Sequence, residues 1–218
     1  MELDGSARPL RKDAEANLER ILASATAVFA RESADISIEV VARHAGVGLG
    51  TVYRRFANKK ALLDELARRL LADVVAIGER HLNDPGGTGL AGYFWEIGEL
   101  LATNRGMVAR MWNVPGAAPA IARSREVQGL LLAGAQRHGQ ARAELTAEDV
   151  AVTAWSLQGV LDVTRGLPVT AWVRHLEVLL AGLRPASHPL RTPALTPTEM
   201  DAVIRATPTV PTERNYPP

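Results

Sequence analysis

Residues 38–63 read IEVVARHAGVGLGTVYRRFANKKALL, and the spacing of small and apolar residues in this stretch decides the fold. Ser37 precedes it and Glu39 lies in what would be the first turn, so the pattern predicts a short helix from Ile38, N-capped by Ser37 and stopped by Gly46. Gly46-Val47-Gly48 is a tight turn. A further two-turn helix then fits residues 49–56, with Val52 and Phe56 on its inner face. Two short helices joined by a glycine-containing turn form a helix-turn-helix, whose second helix is the one that enters a DNA major groove.

Charge supports that reading. Residues 40–63 contain Arg43, His44, Arg54, Arg55, Lys59 and Lys60 and no Asp or Glu. A run of this kind can also be a solvated helix face. The 218-residue chain carries 25 basic and 24 acidic residues, so its net charge of +1 says nothing against a local basic patch. Its 47% apolar content is enough for a sizeable core without cross-links. The absence of cysteine excludes disulfides, thiolate metal sites and cysteine nucleophiles, and leans toward a reducing compartment. The charged N-terminus does not read as a secretory signal, and no window is long and apolar enough to span a membrane, so the cytoplasm is the expected location.

No Ser-His-Asp set, metal-spaced histidine cluster or cofactor fingerprint is evident, so neither catalytic residues nor a cofactor or metal are expected. The glycines at 46, 48 and 50 lack nucleotide-loop spacing and follow a helix rather than a strand.

Outward from the motif, apolar residues recur at helical spacing. Leu18, Ile21, Leu22, Ala25, Val28 and Phe29 predict a first helix over 13–31, and Asn58 caps a long one over 59–82. Asn83-Asp84-Pro85-Gly86-Gly87 is a linker. Helices follow over 90–103, 105–113, 120–138, 147–165 and 168–183, with Thr146 capping the fourth of these. Beyond Gly182 prolines dominate, which predicts a mostly extended or mobile tail. One exception is the capping box Thr196-Pro197-Thr198-Glu199, which starts a short helix to about Ala206 with Met200, Val203 and Ile204 as its stripe. The organisation expected is all-α: an arm (1–12), a three-helix helix-turn-helix DNA-binding domain (13–60), a helical regulatory and dimerisation domain (61–184) and a Pro-rich tail (185–218).

Ala45-Gly46-Val47, Gly50-Thr51-Val52-Tyr53, Phe56, Lys59 and Leu62, with the helix before them, closely resemble the DNA-binding domain of TetR-family transcriptional regulators. Gly48 stands where that family usually has Ser or Thr, a slightly weaker cap, and Lys60 where it often has Glu. Heavy arginine use, with Lys12, Lys59 and Lys60 the only lysines, and the phrasing of the C-terminal half suit an actinobacterial member. The resemblance implies phosphate contacts from Thr51, Tyr53 and Lys59. Arg55 is expected on phosphate, and Arg54 on either phosphate or a base edge. Leu49 and Gly50 open the recognition helix at the end that meets the bases, although Gly50 equally suits the turn. Arg43 and Ser37 reach toward the backbone from the preceding helix.

The resemblance further implies a homodimer with a C-terminal ligand-binding and dimerisation domain. Trp95, Met107, Met111, Trp112 and Trp155 are candidates to line an apolar cavity, with Gln158 and Asp162 as polar contacts; each also suits an ordinary core or surface. Val152, Leu176, Leu179 and Leu180 are candidates for the dimer face, alongside small residues that let helices approach. The function expected is a repressor released from a palindromic double-stranded operator by a small-molecule effector. The alternative is a regulator governed by a protein partner or by abundance, for which a packed second-domain core would speak.

Overall fold

The computed structural model describes residues 7–31, 36–164 and 170–206. They form α1 (Ala7–Arg31), α2 (Ile38–Ala45), α3 (Leu49–Arg55), α4 (Lys59–His81), α5 (Gly89–Thr103), α6 (Arg105–Met111), α7 (Ala118–Arg137), α8 (Ala147–Val163), α9 (Thr170–Leu183) and α10 (Pro197–Ala206). No strand occurs among the described residues. None of these helices is long and apolar enough to cross a membrane.

The punctuation of the chain explains where helices stop. Gly46 takes the left-handed conformation (φ 65°), and its N–H and that of Val47 bond back to Arg43 and Ala42 carbonyls, at 3.2 and 3.1 Å. This is a Schellman ending, which only glycine adopts without steric cost. Asn58 Oδ1 accepts from the Ala61 N–H at 2.9 Å and starts α4. Thr146 and Asp149 cap each other's backbone N–H groups at the start of α8.

The start of the first helix differs from expectation. The first helix begins at Ala7, so much of the expected arm is helical. Pro9 falls in its first turn, where a missing N–H breaks no helical bond. The expected ends of the helices around 165–169 lie outside the described residues.

Packing makes one continuous core. Ile21, Leu22 and Phe29 of α1, Val41 of α2, Val52 of α3 and Leu62 and Leu63 of α4 are buried together, and α4 carries that core on into α5, α6 and α7. The helix α4 therefore belongs to both halves of the molecule. A bidentate pair, Arg69 to Glu19 at 2.8 and 2.9 Å, ties it to α1.

α6 wedges between the N-terminal head and the body, touching α1, α4 and α8. A Cβ on Gly106 would lie 2.7 Å from the Phe29 carbonyl oxygen, so the α1–α6 approach requires glycine.

The tail, non-helical and mostly exposed up to α10, is tied to the body. Residues 184–206 fold back on the body: Arg142 Nη1 donates to the His188 carbonyl at 2.8 Å, Arg125 pairs with Asp201 at 2.6 Å, and Met200 is fully buried. One buried methionine, one ion pair and a hydrogen bond to backbone hold this polar, Pro-rich segment on the body.

Gly106→Ala is expected to lower stability by about 1–3 kcal/mol through overpacking against backbone, less a helix-propensity gain of up to about 1 kcal/mol. Urea unfolding checks this: a lower midpoint with unchanged slope is expected.

Candidate nucleic-acid interface and regulatory cavity

α3 is seven residues long and sorts its side chains into two classes. Val52 is fully buried and Phe56, its C-cap, nearly so. On the other side Leu49 is 37% and Tyr53 46% exposed, unusual for large apolar or aromatic groups, and Arg54 and Arg55 are exposed beside them. The helix thus offers an apolar and cationic surface to solvent. Gly50 lies within α3 and is not among the glycines with positive φ, so the turn does not demand it. A Cβ there would meet no protein atom within 4 Å, which leaves an open surface where a duplex can approach the backbone.

The Arg54 guanidinium donates to Thr51 Oγ1 at 3.1 Å, which holds it over the exposed face. Arg43 is exposed on α2. Ser37 is at the N-cap position of α2 with extended backbone, but its hydroxyl does not cap a backbone N–H. It bonds instead to Glu39, and that bond, with one from a backbone N–H, holds the Glu39 carboxyl below the usual carboxylate range. Lys59 is half-buried at the start of α4, near backbone N–H groups that favour an anion. Lys60 adds less charge than the sequence suggests, because Asp64 one turn later binds its ammonium at 2.5 Å.

The C-terminal half contains an aromatic cavity between α4, α5, α6, α7 and α8. Its inner part is walled by Val74, Tyr93, Ile97, Leu101, Val108, Met111, Trp112, Gln128, Ala154, Trp155 and Gln158. Trp112 and Trp155 meet edge to face at 5.8 Å. Of the residues expected here, Met111, Trp112, Trp155 and Gln158 come together. Three do not. Trp95 packs against Trp172 at 6.3 Å and lines a separate space near the C-terminal end of α9. Met107 is buried in the core but not on the wall. Asp162 is exposed, since one helical turn beyond Gln158 carries it past the cavity.

Sequence reasoning missed Gln128, Ser124 and the role of Tyr93. Gln128 Nε2 donates to the Tyr93 hydroxyl at 2.8 Å, and burial pushes that phenol above its usual pKa, so it stays neutral. The signal was available: Ser124, Val127, Gln128, Leu131 and Leu132 share one stripe of α7, and two polar residues interrupt it.

On the expected dimer face, Val152 is exposed and Leu179 and Leu180 are half-buried. Leu176 is a correction. It is 0% exposed within its own subunit and has no surface left for a partner to cover.

An exposed, cation-flanked recognition helix on a buried three-helix support defines a helix-turn-helix DNA-binding regulator. Residues 21–66 match the family described as bacterial regulatory proteins, tetR family. A TetR transcription regulatory protein from Mycobacterium vanbaalenii is 31% identical, covering 81% of this chain and 100% of that one, with a TM-score of 0.59. A TetR transcriptional regulator from Streptomyces coelicolor is 25% identical over 78% of this chain and 99% of that one, also at 0.59. A TetR-family regulator from Agrobacterium tumefaciens shares the fold at 16% identity, over 79% of this chain and 100% of that one, with a TM-score of 0.61. No functionally curated protein matches. The chain belongs to the TetR family of DNA-binding transcriptional regulators, which are generally repressors.

If Arg55 contacts phosphate in both halves of a homodimer, Arg55→Ala is expected to weaken binding to all duplexes alike and to reduce the slope of log affinity against log salt by about 2. Arg54→Ala is expected to relax preference at one base pair. Salt titrations on a set of single-base operator variants separate the two: the same uniform loss for Arg54→Ala would make it a phosphate contact.

Proposed function

We propose that the chain is a homodimeric repressor that binds a palindromic operator through α3 and is released when a small molecule enters the cavity of the C-terminal half. The observation that carries this is the position of α6. It contributes Val108 and Met111 to the cavity wall, while Gly106 abuts the end of α1 and Arg110 faces Asp64 of α4 at 3.9 Å. A molecule that pushes on Val108 and Met111 moves α6, and α6 rests on two helices that orient the head. An effector then acts by binding one arrangement of head and body better than the other, and it shifts the population by that difference.

The dimer reading is supported by exposed apolar and small residues on α8 and α9. Val163 and Val178 are 80% and 58% exposed, and the Cβ positions of Gly159 and Gly182 are open. Pairing these faces would bury them and set two recognition helices side by side, as a twofold operator requires. DNA, an effector and a second copy are the partners this reading calls for; it calls for no cofactor, metal or catalytic group.

A second reading has one observation in its favour. The inner cavity holds only about 10 Å³ of open volume, room for one water at most, as a regulator without a small-molecule inducer would show.

A gel shift on the duplex upstream of the protein's own gene is expected to show specific binding that weakens steeply with salt. If each protomer contributes Arg43, Arg55 and Lys59, the slope is about −5. Val178→Asp is expected to turn dimer into monomer in analytical ultracentrifugation and to abolish the shift. Salt-insensitive or non-specific binding would contradict the reading, as would a Val178→Asp protein that stays dimeric and binds as before.

A further inference from the structure

The cavity has a second, outer part between α7, α8 and α10, and the chain itself fills its mouth. Met200 of α10 is 0% exposed and shares the walls with Trp112, Ile121, Ser124, Gln128 and Trp155. Its neighbours Glu199 and Asp201 are exposed, and Ile204 one turn on is half-buried on the same wall, so Met200, with Ile204 beside it, carries the seal. What holds α10 in place otherwise is polar and lies at the surface. A capping box within the segment starts the helix, the Glu199 N–H donating to Thr196 Oγ1 at 3.2 Å and the Thr196 N–H to Glu199 Oε2 at 2.8 Å, but it makes no bond to the body. Arg125 grips Asp201 with Nη1 at 2.6 Å while Nη2 reaches Glu148 at 3.4 Å. Partly exposed pairs of this kind hold weakly and are readily replaced by water.

Met200 fills the space without meeting its chemistry. Gln128 is 3% exposed and borders both parts of the cavity. Its Nε2 is satisfied by Tyr93, but its Oε1 has no hydrogen-bond partner among the described residues. A buried amide oxygen without a donor is costly, and a thioether has no proton to give. The inner walls contain no charged side chain, and Arg125 at the mouth already has Glu148 as a counter-charge. The unmet need is therefore for one hydrogen-bond donor on an uncharged, mainly apolar body that packs against the wall formed by Trp112 and Trp155.

We propose that α10 is a resident stopper of the effector site, and that the effector displacing it is an uncharged ring compound bearing a hydroxyl or similar donor for Gln128 Oε1. The proposal rests on reading the cavity as an effector site. Entry of the compound lifts Met200 and breaks the Arg125–Asp201 clasp, so the affinity measured for the effector contains the cost of undocking α10. The closed cavity is then the resting state of a ligand-controlled regulator.

The test titrates the full-length protein and its Met200→Ala and Asp201→Ala variants by calorimetry, without DNA, using 2-naphthol, 2-methoxynaphthalene and 2-naphthoate as probes. Met200→Ala is expected to bind 2-naphthol about tenfold or more tightly than the native chain, because the occupant of the site has been cut back. Asp201→Ala, which leaves the cavity wall intact, is expected to gain about two- to fivefold from the lost surface pair. The methyl ether, which cannot donate, and the carboxylate are expected to bind at least about tenfold more weakly than 2-naphthol. Equal affinity of all three proteins for 2-naphthol would overturn the stopper, as would no binding to any of them. An ether or carboxylate that binds as tightly as the naphthol would overturn the ligand class. Failure of a bound probe to release operator DNA in a separate gel shift would count against the effector reading alone, so the two failures are distinguishable.

Discussion

A helix of seven residues does not hold together in water by itself, so the DNA-facing surface depends on the burial of Val52 and Phe56 beneath α3. Those two side chains anchor the helix in the core shared by α1, α2 and α4, and everything on its outer side is placed by that anchoring. Leu49, Tyr53 and Arg54 are held out to solvent because their neighbours are held in. The Schellman ending at Gly46 and the Asn58 cap fix where α2 stops and α4 starts, which leaves α3 no other position.

The same logic applies to the body. α6 is also only seven residues long and also depends on its neighbours. Its dependence is divided between the head, through Gly106 and Arg110, and the cavity, through Val108 and Met111. The buried stripe of α4 continues from the head into the body without interruption.

Much of this was legible in the sequence for identifiable reasons. The helix-turn-helix announces itself because its turn needs glycine at a fixed place and its helices need Val52 and Phe56 facing inward. The N-cap at Thr146 and the capping box at Thr196 are local hydrogen-bond motifs; both formed, and at Thr146 the Asp149 side chain completes a capping box as well. What was not legible depends on contacts between distant segments. Trp95 and Trp155 look alike in sequence, yet one packs on Trp172 and the other on Trp112, because helix rotation decides which way each ring points. Leu176 and Val178 are two residues apart on α9, and only the packing of α9 on α5 and α8 shows that the first is inside and the second outside. The apolar stripe that Met200 leads was legible, but the surface between α7 and α8 on which it docks was not.

The most direct test of the central claim is a selection of bound duplexes from a random pool by the purified protein, followed by sequencing. The account predicts enrichment of an inverted repeat whose half-sites lie about one helical turn apart, some 10–10.5 base pairs between centres or a multiple of that. It also predicts that the enriched site is lost when the pool is presented to an Arg54→Ala, Tyr53→Phe double variant that still folds. A pool that emerges with no enriched sequence, or the same enriched site with the double variant, would contradict it.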